Sequence, residues 1–243
     1  TERFNTMNDP IILSVQVGRT QRMGMEDSTE VMQRAWSSAI FKSAVDGRVW
    51  VSTLQVSGDE QADLRVHGGP DKAVYSYPIE NLRAWAVELG LGEIPGGGFG
   101  ENLTTANLLE DTVCIGDTFR AGEVILQVSQ PRGPCWKLMR RWNQPDLAVR
   151  VDESGRTGWY QRVLREGFLR AGDKLELLER PNPAWTVLRA HFILRAPALK
   201  PDESLELAAL PQLSAGSRAG LLRGLEQNRR APRRSTLTGE GDD

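Results

Sequence analysis

The sequence predicts a mainly β fold, a barrel or sandwich of short strands with short helices between them, followed by a small group of three C-terminal helices. Three observations predict it. Short β-rich runs recur between residues 11 and 181, several with apolar–polar alternation. Turns rich in glycine separate them, in a chain that holds 24 Gly and 13 Pro. Beyond "ERPNPAW" the strand pattern stops and helical patterns replace it.

Residues 1–10 read as an N-terminal extension, with Met7 as a candidate initiator. The run "IILSVQVG" (11–18) is β-rich and ends at a glycine. "SSAIFKSAV" and "RVWVSTLQVSGD", joined through Asp46-Gly47, read as a hairpin. "KAVYSYP" is a further strand. "PIENLRAWAVELG" follows as a helix: Leu82, Trp85, Ala86 and Leu89 share a face, Pro78 stands in the first turn, and Gly90 caps the end. "EVILQVSQ" (123–130) puts Val124, Leu126 and Val128 on one face. "GWYQRVLREG" (158–167) reads as a second short helix closed by Gly167. "DKLELLE" (173–179) is a strand with Leu175 and Leu177 on one face, and the turns Gly116-Asp117 and Gly172-Asp173 lead into such segments. Helices are expected at about 185–195, 203–210 and 214–228, broken at Pro197, Pro201 and Pro211. The division is therefore 1–10 extension, 11–181 β domain, 182–228 three-helix domain and 229–243 disordered tail, the tail being polar throughout.

Composition narrows the function. A net charge of -2 with dispersed basic residues gives no footprint for nucleic acid. No apolar run approaches the ~18 residues of a membrane span, and "TERFNTMNDP" has no signal-peptide apolar region. The 2 cysteines, Cys114 and Cys135, form no CxxC; with 2 histidines they make neither a zinc site nor an iron–sulfur ligand set. Such cysteine usage places the chain in the reducing cytoplasm. Nucleophile elbow, HExxH and P-loop are absent. The cluster "PGGGFGENLTT" precedes a strand rather than a helix, so it is not a dinucleotide fingerprint.

The stretch "SQPRGPCWKL" (129–138) carries the main candidate. Pro134 suits the first position of a helix, which puts Cys135 in the first turn, where partial positive charge favours a thiolate. Arg132, three residues back, adds to that field. A second reading stands beside it: Cys135, Leu138, Met139 and Trp142 have helical spacing, so the cysteine could open an apolar face. Cys114, in "DTVCIGD", reads as a strand-core residue, and His191 as structural in its helix. In "RVHGGPDKAV" (65–74), His67 and Lys72 bracket a glycine turn, either an anion-holding turn or a plain surface one. The glycine cluster is either a mobile turn or a loop that delivers Glu101 and Asn102 to a cleft.

Together, "DLRVHGGPDKAVYSYP", "GGFGENLTT", "VCIGDTFRAGEVILQVSQPRGPCWKL" and "GFLRAGDKLELL", in this order, resemble the MOSC domain family and, within it, the YiiM-like proteins. The resemblance runs from about residue 10 to 180, and the helices after it resemble that subfamily's three-helix C-terminal domain. It implies a β-barrel that binds the molybdenum cofactor, a molybdopterin, with the Cys135 thiolate as molybdenum ligand. It implies a catalytic set of Cys135, His67 and Arg132, and cofactor binding by Cys135, Arg132, His67, Lys72, Glu101 and Asn102. The implied activity is a detoxifying oxidoreductase that reduces small N-hydroxylated compounds such as hydroxylaminopurine to amines. The alternative is a carrier of the cofactor, or of sulfur as a persulfide on Cys135. In the enzyme reading, His67 would give a proton to the departing oxygen. The chain shows no flavin, nicotinamide or iron–sulfur signature, so the electrons are expected from a partner flavoprotein or other reductase. For assembly, a homodimer is an open alternative.

Overall fold

The structure, a computed structural model, describes residues 9–63 and 68–226. Met7 and the polar tail at 229–243 lie outside the described residues. The chain opens with β1 (Ile11–Val17), then the short strands β2 (Gln21–Met23), β3 (Trp36–Ser38), β4 (Ser43–Ala44) and β5 (Val49–Val51). After a 3-10 turn at Pro70–Lys72 come β6 (Val74–Pro78), α1 (Ile79–Glu88), β7 (Leu103–Ala106), β8 (Thr118–Ala121) and β9 (Val124–Pro131). Two short helices, α2 (Lys137–Trp142) and α3 (Leu147–Ser154), lead into β10 (Trp159–Arg165), β11 (Gly167–Leu169) and β12 (Glu176–Glu179). The chain continues through α4 (Val187–Arg195), α5 (Pro201–Ala209) and α6 (Ala215–Glu226).

Eight strands form one curled sheet in the order β12-β8-β9-β10-β6-β7-β1-β4. All neighbours are antiparallel except β6 and β7, whose parallel pairing is made by the α1 crossover. The curl brings the two ends together: the Ile12 N–H donates to Asp173 O at 3.0 Å, and the Leu175 N–H to Pro10 O at 2.9 Å. The expected barrel is thus a half-barrel with short helices, and helix and strand contents are about equal.

Alternation explains the central strand. Val124, Leu126 and Val128 of β9 are all fully buried, as their shared face requires. They join Ile12, Val15, Phe119 and Trp159 in a core inside the sheet, and Val187, Ala190, Leu207 and Leu221 of the last three helices pack into the same core. A second core forms outside, where Leu82, Trp85 and Ala86 of α1 meet Tyr77, Phe99, Leu138 and Leu147.

Three expectations are corrected. Residues 158–167 are not a helix: 159–165 form β10, which pairs with β9 on one side and β6 on the other. Trp159, Gln161 and Val163 alternate inward, and two ladders satisfy backbone that an isolated short helix would leave half-paired. No hairpin forms at Asp46-Gly47. Gly47 turns the chain at φ 79, but β4 pairs with β1 and β5 with β11. Leu177 of β12 is exposed rather than sharing the burial of Leu175, since β12 is an edge strand whose four residues are all exposed.

Candidate active site

A cleft opens where β6, the end of β9, and the loops at 38–42, 59–62 and 99–102 meet. It encloses about 630 Å³, part of it open to solvent, within the range of ligand sites. Arg132, Cys135, Lys72 and Asn102 all line it, beside Lys42, Asp59, Tyr75, Lys137 and Tyr160. Four residues singled out from the sequence therefore share one cavity. Glu101 does not line it, and His67 lies outside the described residues.

Cys135 follows the end of β9. The helix after it begins only at Lys137 and runs 6 residues, so Cys135 precedes the helix rather than sitting in its first turn. The Cys135 carbonyl accepts from the Leu138 N–H at 3.1 Å, which starts the turn, and no helix-end charge is needed to describe the site. Cys135 does not join the apolar cluster that takes Trp136, Leu138 and Met139; its sulfur faces the cleft wall.

The charge near the sulfur comes from Arg132. Its Nη2 stands 3.9 Å from Cys135 Sγ, and its guanidinium lies 5.3 Å over the Tyr75 ring. The residue is only 5% exposed and has the Tyr160 phenol beside it, yet among the described residues its Nε and Nη1 have no hydrogen-bond partner. Buried donors are rarely left open, and two on one cation are costly. A guanidinium keeps its charge at any accessible pH. Burial pushes the Tyr75 phenol well above its ordinary pKa, and does the same, less strongly, to Tyr160; both are neutral at physiological pH and do not neutralise Arg132.

Backbone contacts hold Arg132 from below. Its N–H donates to Gly158 O at 3.2 Å, and the Gly158 N–H donates to the buried Glu110 at 2.7 Å. Gly158 has φ 65, and a Cβ there would come within 2.4 Å of Ser76 O, so only glycine fits.

The opposite wall is a buried ion pair. Lys42 Nζ contacts Asp59, with both side chains almost wholly buried. Asp59 also accepts from the Gly18 N–H at 2.8 Å and from Asn102 Nδ2 at 2.9 Å. Burial lowers the Lys42 pKa, and Asp59 opposes that shift. Asn102 ties this wall to β6: its Oδ1 accepts from the Tyr75 N–H at 3.1 Å, and its own N–H donates to Tyr75 O at 2.8 Å. Its place in the cleft is thus a framing one, with the amide already used.

Glu101 serves the glycine loop. Its Oε1 accepts from the Gly97 N–H at 2.7 Å and Thr104 Oγ1 at 2.9 Å, and its Oε2 from the Phe99 N–H at 2.9 Å. The loop is a closed turn, with Gly97 at φ 81 and Gly100 at φ 82. Lys72 Nζ stands 5.9 Å over the Tyr160 ring, and burial lowers its pKa against the pull of Asp71. Cys114 is buried away from the cleft, its Sγ 3.5 Å from Pro183 O. His191 is a core residue, bonded to Asp152 O at 2.7 Å.

Sequence reasoning missed Lys42, Asp59, Tyr75, Lys137 and Tyr160. The loop "SGDEQAD" that carries Asp59 has no motif, and Lys42 is 17 residues away from its partner. Tyr160 was readable only once residues 159–165 were recognised as a strand. Overall, the lining carries Lys42, Lys72, Arg132 and Lys137 against Asp59 and Glu60, an excess of positive charge. Chemically, this is a positively charged cleft beside a thiol, an arrangement able to take an anionic group.

The MOSC domain family model matches residues 63–176. A protein named "Reductase" from Gibberella moniliformis is 37% identical over 206 residues, 83% of this chain and 35% of that protein. Protein YiiM from Escherichia coli is 44% identical over 147 residues, 59% of this chain and 65% of that protein. The chain thus spans about a third of the first relative and just under two thirds of the second. The crystal structure of YiiM from Geobacillus stearothermophilus superposes with a TM-score of 0.73 at 33% identity, covering 89% of this chain and 99% of that one. Among the described residues no helix is long and apolar enough to cross a membrane.

Proposed function

This chain belongs to the MOSC domain family and is YiiM-like, and from that premise we propose that the Cys135 cleft binds a molybdenum–pterin cofactor and reduces N-hydroxylated compounds to amines. The observation that carries this reading is Arg132. It is a buried cation with two N–H donors left open among the described residues, 3.9 Å from the Cys135 thiol in the cleft.

The residues present fit such a group. The open donors of Arg132 suit an oxyanion, and Lys72 and Lys137 add positive charge for a phosphate. The Cys135 sulfur is the soft ligand that a transition metal prefers, and the Arg132 guanidinium stands 3.9 Å from it. When bound, the cofactor would supply the two-electron chemistry, and the protein would supply its orientation.

The chain's own residues then have separable tasks. Arg132 and Lys72 hold the anionic group, Cys135 holds the metal, and Asn102 with the Lys42–Asp59 pair keeps the walls at their spacing. His67 is assigned the proton delivered to the departing oxygen. The substrate N–O bond breaks, two electrons and two protons enter, and an amine and water leave. A partner flavoprotein or other reductase supplies the electrons. The name of the Gibberella relative, "Reductase", supports this direction of chemistry.

The test is expression in hosts with and without cofactor synthesis, comparing wild type with Cys135→Ser. Molybdenum in the wild type alone, with reduction of hydroxylaminopurine by a chemical reductant, is the expected result. Equal molybdenum in both proteins sinks the ligand assignment. Sulfane sulfur on Cys135 without molybdenum would make the protein a sulfur carrier instead.

A further inference from the structure

Asp71 stands one residue before Lys72 and joins four segments of the chain. Its Oδ1 accepts from Arg162 Nε at 3.0 Å and Nη2 at 2.7 Å, both from β10. Its Oδ2 accepts from the N–H of Ala215 at 3.1 Å, the first residue of α6. Its carbonyl accepts from Ser129 Oγ of β9 at 2.5 Å, and the N–H of Ser214 donates to Ser129 O at 3.0 Å. The start of α6 is therefore bonded directly to the turn that carries Lys72 and to the strand beneath it.

The same end of α6 is locked into the helical segment. Ser214 accepts from the Ser217 N–H at 3.1 Å, the position of an N-cap. Arg218 donates to Ala208 O and Leu210 O, each at 2.8 Å, and so ties α6 to the end of α5. A displacement of these helices would pull on Asp71, and Asp71 has only one peptide between itself and Lys72.

We infer that Asp71 is a positioning residue through which the C-terminal helices hold Lys72 in the cleft. The helical segment, which shares its core with the half-barrel, thereby also sets a binding group of the cleft. The coupling stands on the geometry alone; only the identity of what Lys72 holds rests on the proposed function.

The test removes one bond. Ala215→Pro deletes the N–H that Asp71 accepts, at the first helical position after an N-cap serine, where proline is tolerated. Asp71→Ala removes all the side-chain bonds at once. The Lys72 amine is followed by NMR after reductive ¹³C-methylation, assigned with Lys72→Gln, and binding of inorganic pyrophosphate is followed by calorimetry. In Ala215→Pro, which keeps the Asp71 charge, the Lys72 titration midpoint is expected to move by at least about 0.3 pH unit; in Asp71→Ala it moves through the lost charge as well, so Ala215→Pro is the deciding variant. Pyrophosphate affinity is expected to fall roughly three- to tenfold, the worth of an ordinary hydrogen bond, and not to fall further in the Lys72→Gln background. An unmoved Lys72 midpoint in Ala215→Pro, with or without a lowered Tm, overturns the coupling and leaves Asp71 a structural strut. A moved midpoint in a protein that never binds pyrophosphate supports the coupling and refutes the anion-holding role proposed for Lys72.

Discussion

Arg132 stands 3.9 Å from the sulfur of Cys135, with its Nε and Nη1 buried and unpartnered among the described residues. The two residues are three apart in sequence, yet no helix brings them together, because α2 begins after both. The chain leaves β9 at Pro131, and Gly158 anchors the Arg132 backbone while the side chain turns over Tyr75. A folded protein retains a buried cation with open donors only where something offsets its cost. A ligand that binds there offsets it, so the site is less stable empty than occupied.

Arg132→Met is therefore expected to separate stability from binding. It removes the open donors, each worth about 1–3 kcal/mol when unsatisfied. It also loses the contact over Tyr75, worth about 0.5–1 kcal/mol. Chemical denaturation should show a stability equal to the wild type or slightly above it, while pyrophosphate affinity falls about tenfold or more. A clear loss of stability with affinity unchanged would make the guanidinium structural.

The sequence made the outer frame of this site legible and hid its walls. Strict alternation marked β9, and the turn chemistry after it marked Arg132 and Cys135, so the end of that strand could be located without coordinates. Residues 158–167 misled, because a run with tryptophan, tyrosine and leucine beside arginines suits either period at so short a length; two flanking ladders decided it. Asp59 and Lys42 were invisible because their meaning is a tertiary contact between two loops, and neither loop has periodicity. Glu101 was legible as a motif position but not as a role. Only the loop's geometry turns its carboxylate inward onto Gly97 and Phe99.

Lys42→Met tests the hidden wall. It leaves the Asp59 charge buried with neutral donors only: the Gly18 N–H, Asn102 and, at 3.4 Å, Gln61. Breaking a buried pair from one side costs roughly 3–5 kcal/mol, and the remaining hydrogen bonds place this case at the lower end. Urea unfolding should show about 3 kcal/mol of lost stability. A loss below about 1 kcal/mol would match an exposed pair and would remove the strut role.

Glu101→Gln tests the glycine loop, and pH gives it a sign. Glutamine has one acceptor oxygen, so its NH₂ must confront either the Gly97 or the Phe99 N–H. The expected cost is about 1–3 kcal/mol. Burial raises the Glu101 pKa above its ordinary 4.5, against the loop hydrogen bonds, which lower it. The native state then binds more protons than the unfolded chain between 4.5 and the raised value. The wild-type contribution is full below 4.5 and is lost as pH rises through the raised value, whereas glutamine does not titrate. The deficit of the variant, measured by denaturant unfolding across this range, should therefore be largest in acid and shrink toward neutrality. A deficit that grows with pH would mean that the loop amides outweigh burial, and that the carboxylate is held below its ordinary value.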